Sequence, residues 1–148
     1  MLKLNLPAVD LKIKSKENKL FIFDPYRKKD IVLTPEEWVR QHVAYYLTHH
    51  KNYPSSLTAL EKELRLHQTK KRTDIVIYNR LGAPEIIVEC KAPTVAINQK
   101  TFDQIARYNL QLKATYLIVT NGLEHYFCQM DFENQRYVFL KDIPNYKD

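Results

Sequence analysis

Apolar residues in this chain fall into short runs of near-continuous or alternating character, separated by two longer stretches that repeat with helical spacing. Residues 20–23 (LFIF) predict a strand that stops at the Asp24-Pro25 turn signal of DPYRKKD, with a short hairpin partner at residues 31–33. The stretch TPEEWVRQHVAYYLTHH then predicts a helix. Thr34 is placed to cap it, Pro35 sits at its first position, and Glu36 and Glu37 fall in its first turn. Val39, Val43, Tyr46 and Leu47 form its apolar stripe, and the helix is expected to end before Pro54. In LTALEKELRL, Leu60, Leu64 and Leu66 alternate with charged residues as in a half-buried strand, yet the same letters suit a helix. TDIVIY (73–78) and PEIIVECKAP (84–93) read as two strands of a hairpin around a turn that contains Gly82. A second helix is expected over residues 98–112, with Phe102, Ile105, Ala106 and Leu112 toward the core. TYLIVT (115–120), stopped by Asn121-Gly122, and two further strands near 124–130 and 135–140 close the chain.

The predicted order ββαβββαβββ implies an α/β (α+β) fold with a central mixed sheet flanked by helices. A chain of 148 residues fits one domain: an N-terminal hairpin region (1–33), a core (34–122) and C-terminal strands (123–148).

Composition narrows the function. A hydrophobic fraction of 45% and a charged fraction of 27% are ordinary for a globular protein, and the net charge of +6 suggests a polyanionic partner. No apolar run approaches the roughly 18 residues of a membrane span, and the amino-terminal stretch lacks the apolar core of a secretory signal. The two cysteines, Cys90 and Cys128, form no C-x-x-C pair, so a reduced, cytoplasmic protein is expected. Glycine occurs only at Gly82 and Gly122, which excludes a Walker A loop and a dinucleotide fingerprint, and with them an ATP site. None of Ser15, Ser55 and Ser56 lies in a G-x-S-x-G elbow.

Chemistry concentrates in IIVECKAP (86–93). Side chains two apart on a strand share a face, so Glu89 and Lys91 project together while Cys90 points away. An antiparallel partner strand brings Asp74 near Glu89. Two carboxylates, helped by a backbone carbonyl such as that of Cys90, suit a hard cation such as Mg²⁺. A neighbouring ammonium suits activation of water or stabilisation of charge developing on phosphorus. Spacing alone fits a solvated ion pair at least as well.

The pattern D-x(14)-E-x-K after a strand resembles the core of the PD-(D/E)XK nuclease superfamily. TPEEWVRQ, KKRTDIVIY, PEIIVECKAP, FDQIARYN and YLIVTNG, in this order over residues 34–122, resemble the N-terminal nuclease domain of type I restriction enzyme R subunits. The resemblance implies a restriction-endonuclease-like core, Asp74 and Glu89 as metal ligands, Lys91 as the catalytic lysine and Mg²⁺, or Mn²⁺, as cofactor. It also implies a glutamate of the first helix beside the metal. Glu36 shares a face with Val39 and Val43, and Glu37 is the alternative. Gln104 and Tyr108 match the family's Q-x-x-x-Y, with Gln104 set to orient the lysine or meet a phosphate. R subunits carry a helicase motor after this domain, for which 148 residues leave no room.

The implied function is Mg²⁺-dependent hydrolysis of phosphodiester bonds in DNA. The alternatives are a DNA-binding module without cleavage and a subunit, or homodimer, whose groove holds a protein. Lys70, Lys71 and Arg72 before Asp74 are candidates to grip phosphates, with Lys12, Lys14, Lys16 and Lys19 as a second basic stretch. Arg40 is placed either to pair with Glu36 or to reach a DNA backbone. Tyr108 packs in the core or lies at the DNA-binding surface.

Overall fold

The computed structural model describes residues 1–66 and 68–147. Its elements are β1 (Ile13–Lys16), β2 (Lys19–Asp24), β3 (Lys29–Val32), α1 (Pro35–Tyr45), β4 (Thr58–Leu66), β5 (Thr69–Tyr78), β6 (Pro84–Cys90), α2 (Gln99–Leu110), β7 (Tyr116–Thr120), β8 (His125–Asp131) and β9 (Arg136–Leu140). A π turn at Tyr46–His50 extends α1, and a short 3₁₀ turn at Ser55–Leu57 leads into β4. Both helices start at side-chain caps. Thr34 Oγ1 accepts from the Glu37 amide at 3.0 Å, and Asn98 Oδ1 accepts from the Thr101 amide at 2.8 Å.

Strands β4 to β9 form one mixed sheet in sequence order, antiparallel throughout except for the parallel β6–β7 pair joined through α2. The three-stranded antiparallel sheet β1-β2-β3 stands apart. Its first strand was not expected. Ile13–Lys16 is exposed along its whole length and offers no buried face to read. It forms because Glu17 and Asn18 both take positive φ, 52° and 63°, the conformation a two-residue hairpin turn requires.

Helices cover both faces of the large sheet. On one side Val39, Val43 and Leu47 of the α1 region pack against Ile75, Ile77, Val88 and Ile118. On the other, Phe102 and Ile105 of α2 pack against Ile87, Leu117, Val119 and Cys128. Each such aliphatic side chain removed from water contributes about 1.5–3 kcal/mol. The amino-terminal segment also reaches this body: Leu4 is buried in the α1-side core, and the Asn5 amide donates to the Gly122 carbonyl at 2.8 Å. Among the described residues no helix is long and apolar enough to cross a membrane.

The ambiguous LTALEKELRL segment is the strand β4, and it is an irregular one. Leu60 packs in the α1-side core while Leu64 packs against the α2-side core. Residues four apart on a regular strand share a face. The alternation breaks between them, at Glu61, which holds a left-handed φ of 53°. Its partner β5 breaks in step: Ile75 joins the α1-side core, whereas Lys71 lies over the Tyr108 ring of α2. The pairing register puts Asp74 level with this break.

Candidate active site

The β5–β6 hairpin pairs Ile75 with Val88, so one step further Asp74 comes level with Glu89. Asp74 is buried, and its two oxygens have separate partners. Oδ2 accepts from the Cys90 amide at 2.7 Å, and Oδ1 accepts from Arg40 Nη2 at 2.6 Å. The Cys90 side chain is buried in the α1-side core, with its thiol pKa pushed up by burial first and by the charge of Asp74 second. Lys91 Nζ lies 3.7 Å from Glu89 Oε1, both side chains half-buried at the edge of the core. Helix α1 brings Glu36 to the same place. Its charge is felt by Glu89, and it in turn feels Asp74, Arg40, Lys91 and Glu61.

This gathering of carboxylates raises the affinity of two of them for protons. Burial, and then the negative charge of Asp74, push the Glu89 carboxyl above its ordinary range, against the opposing pull of Lys71 and Lys91. The same two causes in the same order raise Glu36, while Arg40 and Lys91 work the other way. An excess of mutually repelling oxygen donors is the electrostatic condition under which a hard cation binds. No three His, Cys, Asp or Glu side chains among the described residues converge as ligands on a single point. That arrangement still suits Mg²⁺, which is commonly held by one or two carboxylates with water and substrate phosphate filling the other positions. Asp74 and Glu89, with Glu36 alongside, are the oxygen donors that could hold such a cation here, and Asp74 already accepts from Arg40 and the Cys90 amide.

Arg40 departs from the expectation that it contacts DNA. It is 5% exposed and enclosed between α1 and β5, with its guanidinium turned to carboxylates. Its guanidinium contacts Asp74, Glu37, Glu36 at 3.2 Å and Glu61 at 3.4 Å. Burial is the largest single influence and opposes its charge, yet the hydrogen bond to Asp74 and the charges of Asp74 and Glu37 together outweigh it and raise its pKa. The pairing of Arg40 with Glu36 is thus present, as one arm of a larger network. Of the two first-turn glutamates, Glu37 is buried and committed to that network through Arg27 (2.7 Å), Arg40 and Gln41 (3.0 Å). Glu36 stands at the open side, where about half its side chain is exposed.

The remaining expected residues divide. Lys71 Nζ sits 4.5 Å from the Tyr108 ring centroid, a cation–π contact, and its charge reaches Glu89. Tyr108 is half-buried, and its hydroxyl is enclosed without a hydrogen-bond partner among the described residues. Lys70 and Arg72 are exposed, in loose pairs with Glu63 and Glu61 at 3.9 Å. Gln104 is exposed on α2, and among the described residues it forms no hydrogen bond to Lys91. Arg27 and Glu61 escaped the sequence reading, although both border the cluster. Arg27 lay hidden in a turn of charged residues, and Glu61 in the segment whose period is broken.

An open groove of ≈ 550 Å³ runs beside the cluster, lined by Ile31, Val32, Glu36, Arg40, Glu61 and Ala92 among others. A separate cavity of ≈ 290 Å³ lies where β5 ends and β6 and β7 begin, lined by Tyr53, Tyr78, Tyr116 and Tyr146. It contains none of the clustered carboxylates.

The sequence profile of the Type I restriction enzyme R protein N terminus (HSDR_N) matches residues 35–144. No curated protein matches the chain. Among solved structures, a DUF820 protein from Anabaena variabilis ATCC 29413 assigned as a candidate nuclease superposes with a TM-score of 0.50 at 11% identity, covering 93% of this chain and 80% of that one. At that identity the likeness establishes the fold, a mixed sheet between helices. The profile spans most of the chain and contains every clustered residue from Glu36 to Lys91, so this protein belongs to the type I restriction enzyme R protein N-terminus family.

Proposed function

We propose that this chain is a Mg²⁺-dependent endonuclease-type hydrolase of DNA, with Asp74 and Glu89 as metal ligands, Glu36 beside them and Lys91 at the reacting centre. The observation that carries the reading is the meeting of Glu36 of α1, Asp74 of β5, and Glu89 and Lys91 at the end of β6, with Glu36 also lining an open groove. Family membership and a nuclease-like fold support it. A bound divalent ion would act as Lewis acid on the scissile phosphate and lower the pKa of a bound water. The protein's own groups do the rest. The Cys90 amide and Arg40 hold Asp74 in one orientation, and the core beneath β6 fixes Glu89 against Lys91. Lys91 supplies a positive charge where negative charge accumulates on phosphorus. Lys71, seated over the Tyr108 ring, with Lys70 and Arg72 outside it, offers phosphate contacts along the approach.

The test is incubation of purified protein with plasmid and linear DNA in Mg²⁺ or Mn²⁺ against EDTA. The expected result is metal-dependent cleavage, lost by about 10²-fold or more in Glu89→Ala and in Lys91→Ala. Cleavage that survives both substitutions removes the assigned site. Salt-sensitive DNA binding without cleavage, in protein shown to be folded, replaces the reading with that of a binding module on the same fold.

A further inference from the structure

The small sheet carries an arrangement that the carboxylate cluster does not use. Ile22 at its centre is buried, so the neighbouring residues of alternate parity form the opposite, outward face. Pairing across the three strands arranges that face in rows. Lys14 stands beside Phe21, which stands beside Val32, and Lys16 stands beside Lys19. Phe23 stands beside Asp30, and its amide donates to the Lys12 carbonyl at 2.9 Å, which extends the same rows to Lys12. The outcome is a column of lysines, Lys12, Lys14 and Lys16, running along a column of Lys19, Phe21 and Phe23. Successive members of each column are about 6.7 Å apart.

All four lysines are exposed, as are Phe23 (39%) and Val32 (45%), and Phe21 is half-exposed. One carboxylate lies on this face: Asp30, 2.5 Å from Lys14 in a solvent-exposed pair that adds little. A lysine track alongside exposed aromatic rings is the composition of a single-stranded nucleic acid platform, in which cations follow the phosphates and rings stack on the bases. A duplex keeps its base faces stacked inside and offers nothing to Phe21 and Phe23. Val32 connects this face to the rest of the molecule, because it also lines the groove that holds Glu36 and Ala92.

We infer that the outward face of β1-β2-β3 binds single-stranded DNA, with phosphates on Lys12, Lys14, Lys16 and Lys19 and bases on Phe21 and Phe23. This binding stands independently of whether the carboxylate cluster cuts.

The test uses the full chain carrying Glu89→Ala, in EDTA, so that cleavage plays no part. Binding of fluorescent oligothymidylate is followed by anisotropy across a range of salt. The expected result is tight, salt-sensitive binding whose log–log slope becomes shallower by about 2–3 when the four lysines are replaced together (K12Q, K14Q, K16Q and K19Q), at about 0.7 per phosphate contact. Phe23→Leu, which keeps an apolar side chain but removes the ring, is expected to weaken binding by about 5- to 150-fold. The same substitution is expected to leave the thermal transition and duplex binding nearly unchanged. An unaltered slope in the quadruple variant overturns the assignment, as does Phe23→Leu binding with wild-type affinity. Binding to anionic phosphatidylserine vesicles with none to the oligonucleotide also overturns it, in favour of a lipid surface. Failure of the plasmid assay with oligonucleotide binding intact removes the nuclease reading and supports this one.

Discussion

Glu89 and Glu36 are carboxylates held where a carboxylate is uncomfortable, and the discomfort is measurable. Burial and the charge of Asp74 raise both above the ordinary glutamate range of about 4.3. The folded chain therefore holds protons that the unfolded chain has released. Stability that depends on these two groups is greatest below the unfolded-state pKa and declines as pH rises through the folded-state pKa. In EDTA, Glu89→Gln is accordingly expected to raise the thermal transition at pH 7 and to have almost no effect near pH 4. With excess Mg²⁺ the sign reverses, because the wild-type carboxylate gains a cation and the amide does not. Thermal denaturation of both proteins from pH 4 to 8, with and without Mg²⁺, measures all four conditions. A destabilised Glu89→Gln at pH 7 in EDTA would mean that Lys71 and Lys91 already outweigh the repulsion, contrary to this account.

At the scale of elements, the loop after β7 depends on a residue without a side chain. Gly122 has a φ of +86°, and a Cβ built there would lie 2.8 Å from Leu4 Cδ2 and 3.2 Å from Val39 Cγ2. Gly82 has nearly the same φ, +84°, with open space around it. Gly82→Ala is therefore expected to cost only the left-handed strain of about 1–2 kcal/mol, whereas Gly122→Ala adds overpacking of about 1–3 kcal/mol. Urea denaturation of the two variants compares them directly, and equal losses would show that Leu4 does not press on the turn. Elements with local signals were legible from sequence in just this way. Thr34-Pro35 and Asn98 marked the helix starts, and the hairpin of β5 and β6 stood out because both strands are buried runs around a turn. β1 escaped because its stability comes from a turn and a partner and not from a buried face. β4 stayed ambiguous because Glu61 interrupts its period. Within the site, the Glu89–Lys91 pair was readable because its members are two residues apart, the second one step past the end of β6. The pairing of Arg40 with Glu36 was readable from their four-residue spacing, whereas its partner Asp74 lies 34 residues away and no spacing rule on α1 announces it.

At the scale of the whole molecule, one run of charges connects the two sheets. Asp24, at the end of β2 and fully buried, accepts from the amides of Tyr26 (2.7 Å) and Arg27 (3.0 Å) and from the Arg27 guanidinium. Arg27 then reaches Glu37 of α1, Glu37 meets Arg40, and Arg40 ends on Asp74 of β5. A buried network of this kind gains little over a well-packed apolar alternative, because desolvating each ion offsets most of its attraction. Losing one member is a different matter, since its partners remain buried with part of their charge uncompensated. Arg27→Met leaves the carboxylates of Asp24 and Glu37 facing each other across the vacated guanidinium site. The expected loss is about 3–5 kcal/mol in urea denaturation, with a smaller loss for Arg27→Lys, which keeps the charge without the forked geometry. Because Arg27 lies at the junction, the loosening is expected to be uneven. Amide exchange in β2 and β3 should accelerate more than in β5 to β7, whose pairing and apolar packing do not pass through it. Uniform acceleration across both sheets would indicate that apolar contacts, and not this network, tie the small sheet to the body that holds Asp74. Preferential loosening of the small sheet would identify the Asp24-to-Asp74 network as the mechanical link between the lysine–phenylalanine face and the carboxylate cluster.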